Sequence, residues 1–171
     1  MPIFFSNNLA TLADPTTRSA QTLNVGEAHG RVRNKRIEIE LPDTANADEV
    51  RLATFRSNDR IVGMQIAYDD LGTAGTLNVG IAYSGDNNDG ATIDADCFAS
   101  LLDLSSAAVG RTEISGESGV NGGASLFGKT LWQVGAIATD PGGYIDLLGV
   151  TPTGTTTAGT VVLMVQYVAG D

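Results

Sequence analysis

Two stretches of this chain repeat each other. Thr73-Ala74-Gly75-Thr76 is followed by Leu77, Val79, Ile81 and Tyr83 in alternation, and Thr157-Ala158-Gly159-Thr160 by Val161, Leu163, Val165 and Tyr167 in the same phase. Period-two alternation marks a strand with one buried face. The Ala-Gly step supplies a turn, because glycine takes positive φ without a Cβ clash. A chain that uses this turn-plus-strand unit twice, once centrally and once at its end, is expected to be a β protein built for packing and surface display.

Composition narrows the chemistry. The 171 residues suit one domain, which at that size buries roughly 70% of its unfolded surface and needs no disulfide staple. A single cysteine, Cys97, excludes an intrachain disulfide and a cysteine-based zinc cluster, and a single histidine, His29, excludes a multi-histidine metal site. Cys97 follows Asp94-Ala95-Asp96, whose carboxylates oppose a reactive thiolate, so a small buried or half-buried thiol is expected. The net charge of -10 is unevenly spread. Residues 1–60 hold eight bases and eight acids, whereas residues 61–171 hold twelve acids against Arg111 and Lys129. An acidic body repels nucleic acid and anionic membranes, so neither is expected as a partner. Met1-Pro2-Ile3-Phe4-Phe5 lacks the basic flank of a secretory signal. No apolar run approaches the ~18 residues that span a bilayer. Synthesis in a cytoplasm is expected, and a free cysteine agrees with it.

The order of segments points to an arm and a body. Residues 1–30 lack sustained periodicity yet carry Ile3, Phe4, Phe5, Leu9, Leu12, Leu23 and Val25, too many apolar groups for a solvated tail. They are read as an extended N-terminal arm lying on its own body or on a neighbouring subunit, with residues 31–171 as a β-sandwich domain. Strands are predicted over 33–41, 50–55, 60–68, 76–83, 111–115, 129–138, 144–150 and 160–168. The Gly-containing link 69–75 predicts a hairpin between the third and fourth. A helix is predicted over 95–106, where Phe98, Leu101, Leu102 and Ser105 follow a helical stripe behind Asp94 as N-cap. Loops rich in Gly, Asn, Asp, Ser or Thr fill 84–96, 115–124 and 151–159. This pattern predicts an all-β fold: an antiparallel, jelly-roll-like β-sandwich with an N-terminal arm and one short helix. Its inward faces are expected to hold Ile37, Ile39, Val62, Met64, Ile66, Leu77, Val79, Ile81, Trp132, Val134, Val161, Leu163 and Val165.

Motifs that could carry chemistry fare poorly. Gly123-Ala124-Ser125-Leu126-Phe127-Gly128-Lys129-Thr130 fits the phosphate-loop pattern, but that loop works between a buried strand and a helix. Here a polar Gly-rich stretch precedes it and a strand-like stretch follows, so a chance match is expected. Asp86, Asp89, Asp94 and Asp96 offer calcium-type oxygens. With Gly90 at the invariant glycine of an EF-hand, Gly85 would fall on the first ligand position, so binding is expected to be weak or absent. Asp69 and Asp70 point to opposite faces of a strand, and Glu38 and Glu40 share a solvated face. Neither pair is the two-carboxylate set that glycoside hydrolysis needs. No catalytic residue, cofactor or metal site is expected, and no enzyme activity.

The segment order also resembles a family. Arg60-Ile61-Val62-Gly63-Met64-Gln65-Ile66, then Asp69-Asp70-Leu71-Gly72, Thr76-Leu77-Asn78-Val79-Gly80, Phe98 to Leu104 and a last strand ending in Val165-Gln166-Tyr167 are similar to the decoration or cement proteins of tailed bacteriophage heads. The resemblance covers roughly residues 50–84 and 128–168. It implies a jelly roll that trimerises at or near threefold positions on the capsid exterior of a virion, with the major capsid protein and its own copies as partners. It carries no catalytic residues. Read from charge and hydropathy, the capsid or subunit interface is expected at Phe4, Phe5, Leu9 and Leu12 of the arm and at Arg31, Arg33, Lys35 and Arg36. The same four basic residues would equally solvate a strand edge and discourage edge pairing. The alternative is a sugar- or receptor-binding β-sandwich of a virion fibre. The absence of aromatic residues from the loops 84–96, 115–124 and 151–159 counts against it.

Overall fold

Among the described residues, eight strands pair as though one long hairpin had been rolled up. The computed structural model describes residues 32–43, 47–72, 75–85, 88–108, 110–115, 128–152 and 156–170. In them the strands are β1 (Val32–Leu41), β2 (Glu49–Arg56), β3 (Arg60–Tyr68), β4 (Thr76–Tyr83), β5 (Thr92–Asp103), β6 (Thr112–Glu113), β7 (Tyr144–Val150) and β8 (Gly159–Val168). The antiparallel partners β1·β8, β2·β7, β3·β6 and β4·β5 are the nested rungs of that hairpin, and β3·β8 and β4·β7 join the rungs into sheets. The result is two four-stranded sheets, ordered β1-β8-β3-β6 and β2-β7-β4-β5. This is an all-β, jelly-roll-like sandwich.

The repeated units turn out to be the inner strands β8 and β4, one in each sheet. Each is flanked on both sides, which explains why both are strongly alternating and apolar. Val161, Leu163 and Val165 of β8 and Val79 and Ile81 of β4 have no solvent exposure. They pack with Ile37, Met64, Ile66, Phe55, Ile145 and Leu147 in one core. The predicted hairpin between the third and fourth strands does not form, because β3 and β4 lie in different sheets. The 69–72 segment instead crosses between layers. The Leu71 N–H donates to Leu104 O (3.1 Å) and Leu71 O accepts from the Thr157 N–H (2.9 Å).

The helix predicted over 95–106 is the strand β5, so Asp94 is no N-cap. The cause is a set of β-bulges. Val79 pairs with Ala99 and Ile81 with Asp94, so three residues of β4 face six of β5. The surplus arches over β4 at Gly80, where a Cβ would collide with the Asp94 and Ala95 backbone. Further along, Leu101 takes φ 53°, and its N–H donates to Asn78 Oδ1 (2.7 Å). Extra residues in a strand break its period of two, and here the broken pattern imitates a helical stripe. The described helix is α1 (Leu131–Val134), in place of the strand expected over 129–138. Trp132 is therefore helical and half-buried against the core, not an inward strand residue. Another bulge lies at Val62: Ile61 pairs with Tyr167 and Gly63 with Gln166. This puts Ile61 inward and leaves Val62 half-exposed, against expectation.

Two substitutions test this packing. Leu163→Ala should cost about 2–5 kcal/mol in a urea unfolding titration, as for other buried aliphatics. Gly80→Ala should destabilise at the upper end of the about 1–3 kcal/mol typical of overpacking, because the atom it meets is backbone. A neutral result would mean β5 does not arch over this position.

Candidate functional site

The sequence-predicted interface residues separate in the structure. Phe4, Phe5, Leu9, Leu12 and Arg31 lie outside the described residues. Arg33, Lys35 and Arg36 sit on β1, an edge strand of its sheet, and alternation divides them. Arg36 points to the outer face and pairs with Glu38. Lys35 shares a face with Ile37 and spans the two sheets, donating from Nζ to Thr54 O (3.1 Å) over the Phe55 ring (4.8 Å to its centroid). Phe55 in turn meets Tyr167 edge to face, 5.2 Å between centroids. Lys35 is thus a clip between β1 and β2. Arg33, two residues earlier on the same face, is exposed.

Arg33 lines an open cleft of about 450 Å³ at one end of the sandwich. Its walls come from β1 (Arg33), β2 (Thr54, Phe55, Arg56), β7 (Tyr144), the end of β8 (Tyr167) and the segment after it (Ala169, Gly170). Arg56 and Tyr144 are cross-strand partners, and both also line a shallower neighbouring recess with Ser57, Asn58, Asp140, Gly142 and Gly143. Tyr144 is 52% exposed, and Val32, at the start of β1, is 55% exposed. Among the described residues Leu101 is the third exposed large hydrophobic, so two of three gather at this end. Arg60 begins β3 here, its Nε buried without a hydrogen-bond partner among the described residues.

One carboxylate organises the floor. Asp59 is 4% exposed. Its Oδ2 accepts from the Arg56 N–H (3.0 Å) and its Oδ1 from the Gly170 N–H (2.9 Å). Its own carbonyl accepts from the Leu131 N–H (2.9 Å), while Ser57 O accepts from the Trp132 N–H (3.2 Å). The carboxylate therefore ties the β2–β3 turn to the chain after β8, and the same turn receives the start of α1. Both its oxygens are engaged by backbone donors. Sequence reading passed over Arg56, Asp59 and Tyr144, because residues from four strands and a turn converge here only through the sheet registers.

The opposite end of the sandwich is acidic. Glu40, Asp43, Asp69, Asp70 and Asp103 are all exposed there. Around the start of β8, Thr160 Oγ1 donates to Glu40 Oε2 (2.9 Å), the Thr160 N–H to Asp69 Oδ2 (3.1 Å) and the Ala158 N–H to Asp43 Oδ1 (2.8 Å). Tyr68 donates to Asp103 O (2.8 Å). Its phenol is raised above the ordinary value by burial and by the Asp103 charge, while hydrogen bonds from Ser105 lower the Asp103 carboxyl.

The other candidate motifs hold less. Cys97 is fully buried, and burial, with Asp94 and Asp96 nearby, pushes its thiol far up, the opposite of an activated nucleophile. Asp94 Oδ1 accepts from the Asp96 N–H (3.2 Å) and Asp96 Oδ2 from Ser100 Oγ (3.1 Å). Asp86 lies outside the described residues. Among those described, no three His, Cys, Asp or Glu side chains come together as a metal-holding group. Of the phosphate-loop match, residues 123–127 lie outside the description. Thr130 sits at the N-terminus of α1, its N–H donating to Gln133 Oε1 (3.1 Å).

No protein-family model matches the chain, and no curated protein does. Solved structures share its fold. A chain from the capsid of Ralstonia phage GP4 superposes with a TM-score of 0.61 at 21% identity, covering 82% of this chain and 86% of that one. A chain from the cyanophage Pam1 capsid asymmetric unit gives 0.55 at 16% identity, covering 92% of this chain and 100% of that one.

Asp59→Ala should leave two part-buried backbone donors without their acceptor and cost about 1–3 kcal/mol. Amide hydrogen exchange should rise first at Arg56, Gly170 and Leu131. Unchanged protection at these three would show that the carboxylate does not organise this end.

Proposed function

We propose that this chain is a non-enzymatic structural protein of a bacteriophage head. It binds the outer surface of the capsid as a cement or decoration protein and stabilises the shell. The observation that carries this reading is the near end-to-end agreement of one jelly-roll-like fold with chains of two phage capsids, 86% and 100% of whose lengths are covered. Fold alone hosts many functions, so the reading also draws on the segment resemblance to decoration proteins and on a body whose two ends differ in charge, with an exposed tyrosine at one of them. The partners are the major capsid protein and copies of the chain itself, assembled as a homotrimer. The arm residues Phe4, Phe5, Leu9 and Leu12, with Arg31, Arg33 and Arg36, contribute to these contacts. Lys35 contributes indirectly, by holding β1 to β2.

A second reading, a sugar- or receptor-binding module of a virion fibre, draws on one observation: Tyr144 is exposed beside a polar cleft, an arrangement that suits ring stacking on a sugar.

Purified protein should sediment as a trimer, co-sediment with emptied phage heads and raise the temperature at which those heads rupture. A strict monomer that never co-sediments with heads, and that binds glycans on an array, would replace the first reading with the second.

A further inference from the structure

The strand ends of this sandwich differ in charge, and the difference gives it a direction. The strand registers carry Arg33, Arg56 and Arg60 to one end and Glu40, Asp69 and Asp103 to the other. The basic end stands out because the chain carries a net charge of -10. Among the acids near it, Asp59 has both oxygens engaged by backbone N–H groups. Asp140 lines the neighbouring recess and accepts from the Gly142 N–H (2.9 Å). The basic end also carries the exposed Tyr144, which lines a cleft of about 450 Å³. Arginine and tyrosine around a partly apolar recess are the residue types that dominate binding energy at protein interfaces.

We propose that the Arg33–Arg56–Tyr144 cleft is the docking foot of this protein and receives an acidic, extended protein segment presented on the surface of the phage head. Arg33 and Arg56 stand on opposite sheets and pair with carboxylates of the incoming segment, and Tyr144 packs on its aliphatic stems. The acidic end then faces outward, away from a surface that is itself acidic at the contact point, so the charge difference selects orientation as well as site. This rests on the head-binding reading above and assigns it a surface and a partner chemistry.

The test uses the full chain and a decaglutamate peptide as probe, with emptied heads in parallel. Titrating the peptide into isotopically labelled protein should shift the signals of Arg33, Arg56 and Tyr144 and leave those of Asp69 and Asp70 in place. Binding should weaken with added salt. The Arg33→Glu/Arg56→Glu pair should lower affinity for both peptide and heads by about tenfold or more, and Tyr144→Ala by about fivefold. Asp69→Asn/Asp70→Asn should leave both unchanged. Mapping on the unaltered protein keeps the result independent of any folding defect in the variants. Peptide that does not bind, or that shifts signals elsewhere, overturns the proposal. So does undiminished head binding by the charge-reversed pair, or a cleft that answers only to neutral glycans. Self-association lost in the charge-reversed pair, with head binding kept, overturns it in favour of a second copy as occupant. Peptide bound in the cleft without any binding to heads upholds the cleft chemistry and overturns the head-binding reading alone.

Discussion

The core shared by the two sheets, to which the inner strands β4 and β8 contribute fully buried side chains, holds this fold closed. Each of these two strands is flanked by two others in its own sheet, so its backbone groups are satisfied laterally and its side chains alone decide what it packs against. Leu163, Val165, Val79 and Ile81 are all fully buried, each worth about 1.5–3 kcal/mol when removed from water. Neighbouring strands inherit their positions from these two through the ladder registers. The near-duplication of the two segments then has a physical reading. Both solve the same problem, an inner strand with one apolar face entered through a Gly-containing turn.

Closure of the core leaves the two ends of the sandwich, and the ends differ in charge. At the basic end, polar links add to the core. Lys35 clips β1 to β2, and Asp59 gathers the β2–β3 turn and the chain after β8, whose neighbour α1 starts from the same turn. These interactions fix a cleft whose walls come from four strands, so the positions of Arg33, Arg56 and Tyr144 depend on rigid elements rather than on long loops. At the acidic end the carboxylates accept from backbone and hydroxyl donors around Thr160. Similar strand chemistry thus leaves opposite charge at the two ends.

The errors of sequence reading at β5 and Val62 share one cause. Alternation reports a buried face only while each residue has one partner. At β5 three residues of β4 face six, and the surplus turns Cys97, Phe98 and Ala99 into a continuous buried run. Leu101 stands exposed in a left-handed conformation, which for a leucine requires support from elsewhere; the Asn78 side chain supplies it. The signal was in the partner strand. Asn78 and Gly80 occupy outward positions in an otherwise apolar run, one as an acceptor for the bulged backbone and the other as the space it passes through.

What the sequence determined by itself was local. The strands β1, β3, β4, β7 and β8 lie within a residue or so of their predicted ranges, because side-chain alternation is a property of the strand alone. The class followed from their number and spacing, and the buried Cys97 from its surroundings. Tertiary structure decided which strands pair, and with that everything about the site. Arg56, Asp59 and Tyr144 carry no local pattern, and they come together only because β2 pairs with β7 and β8 lies between β1 and β3. The Asp69 to Gly75 link reads as a hairpin turn in isolation, yet it crosses between sheets, since the pairing of β3 with β8 and of β4 with β7 removes the option. Registers between distant segments are set by the packing of whole faces, and no window of a single strand contains that information.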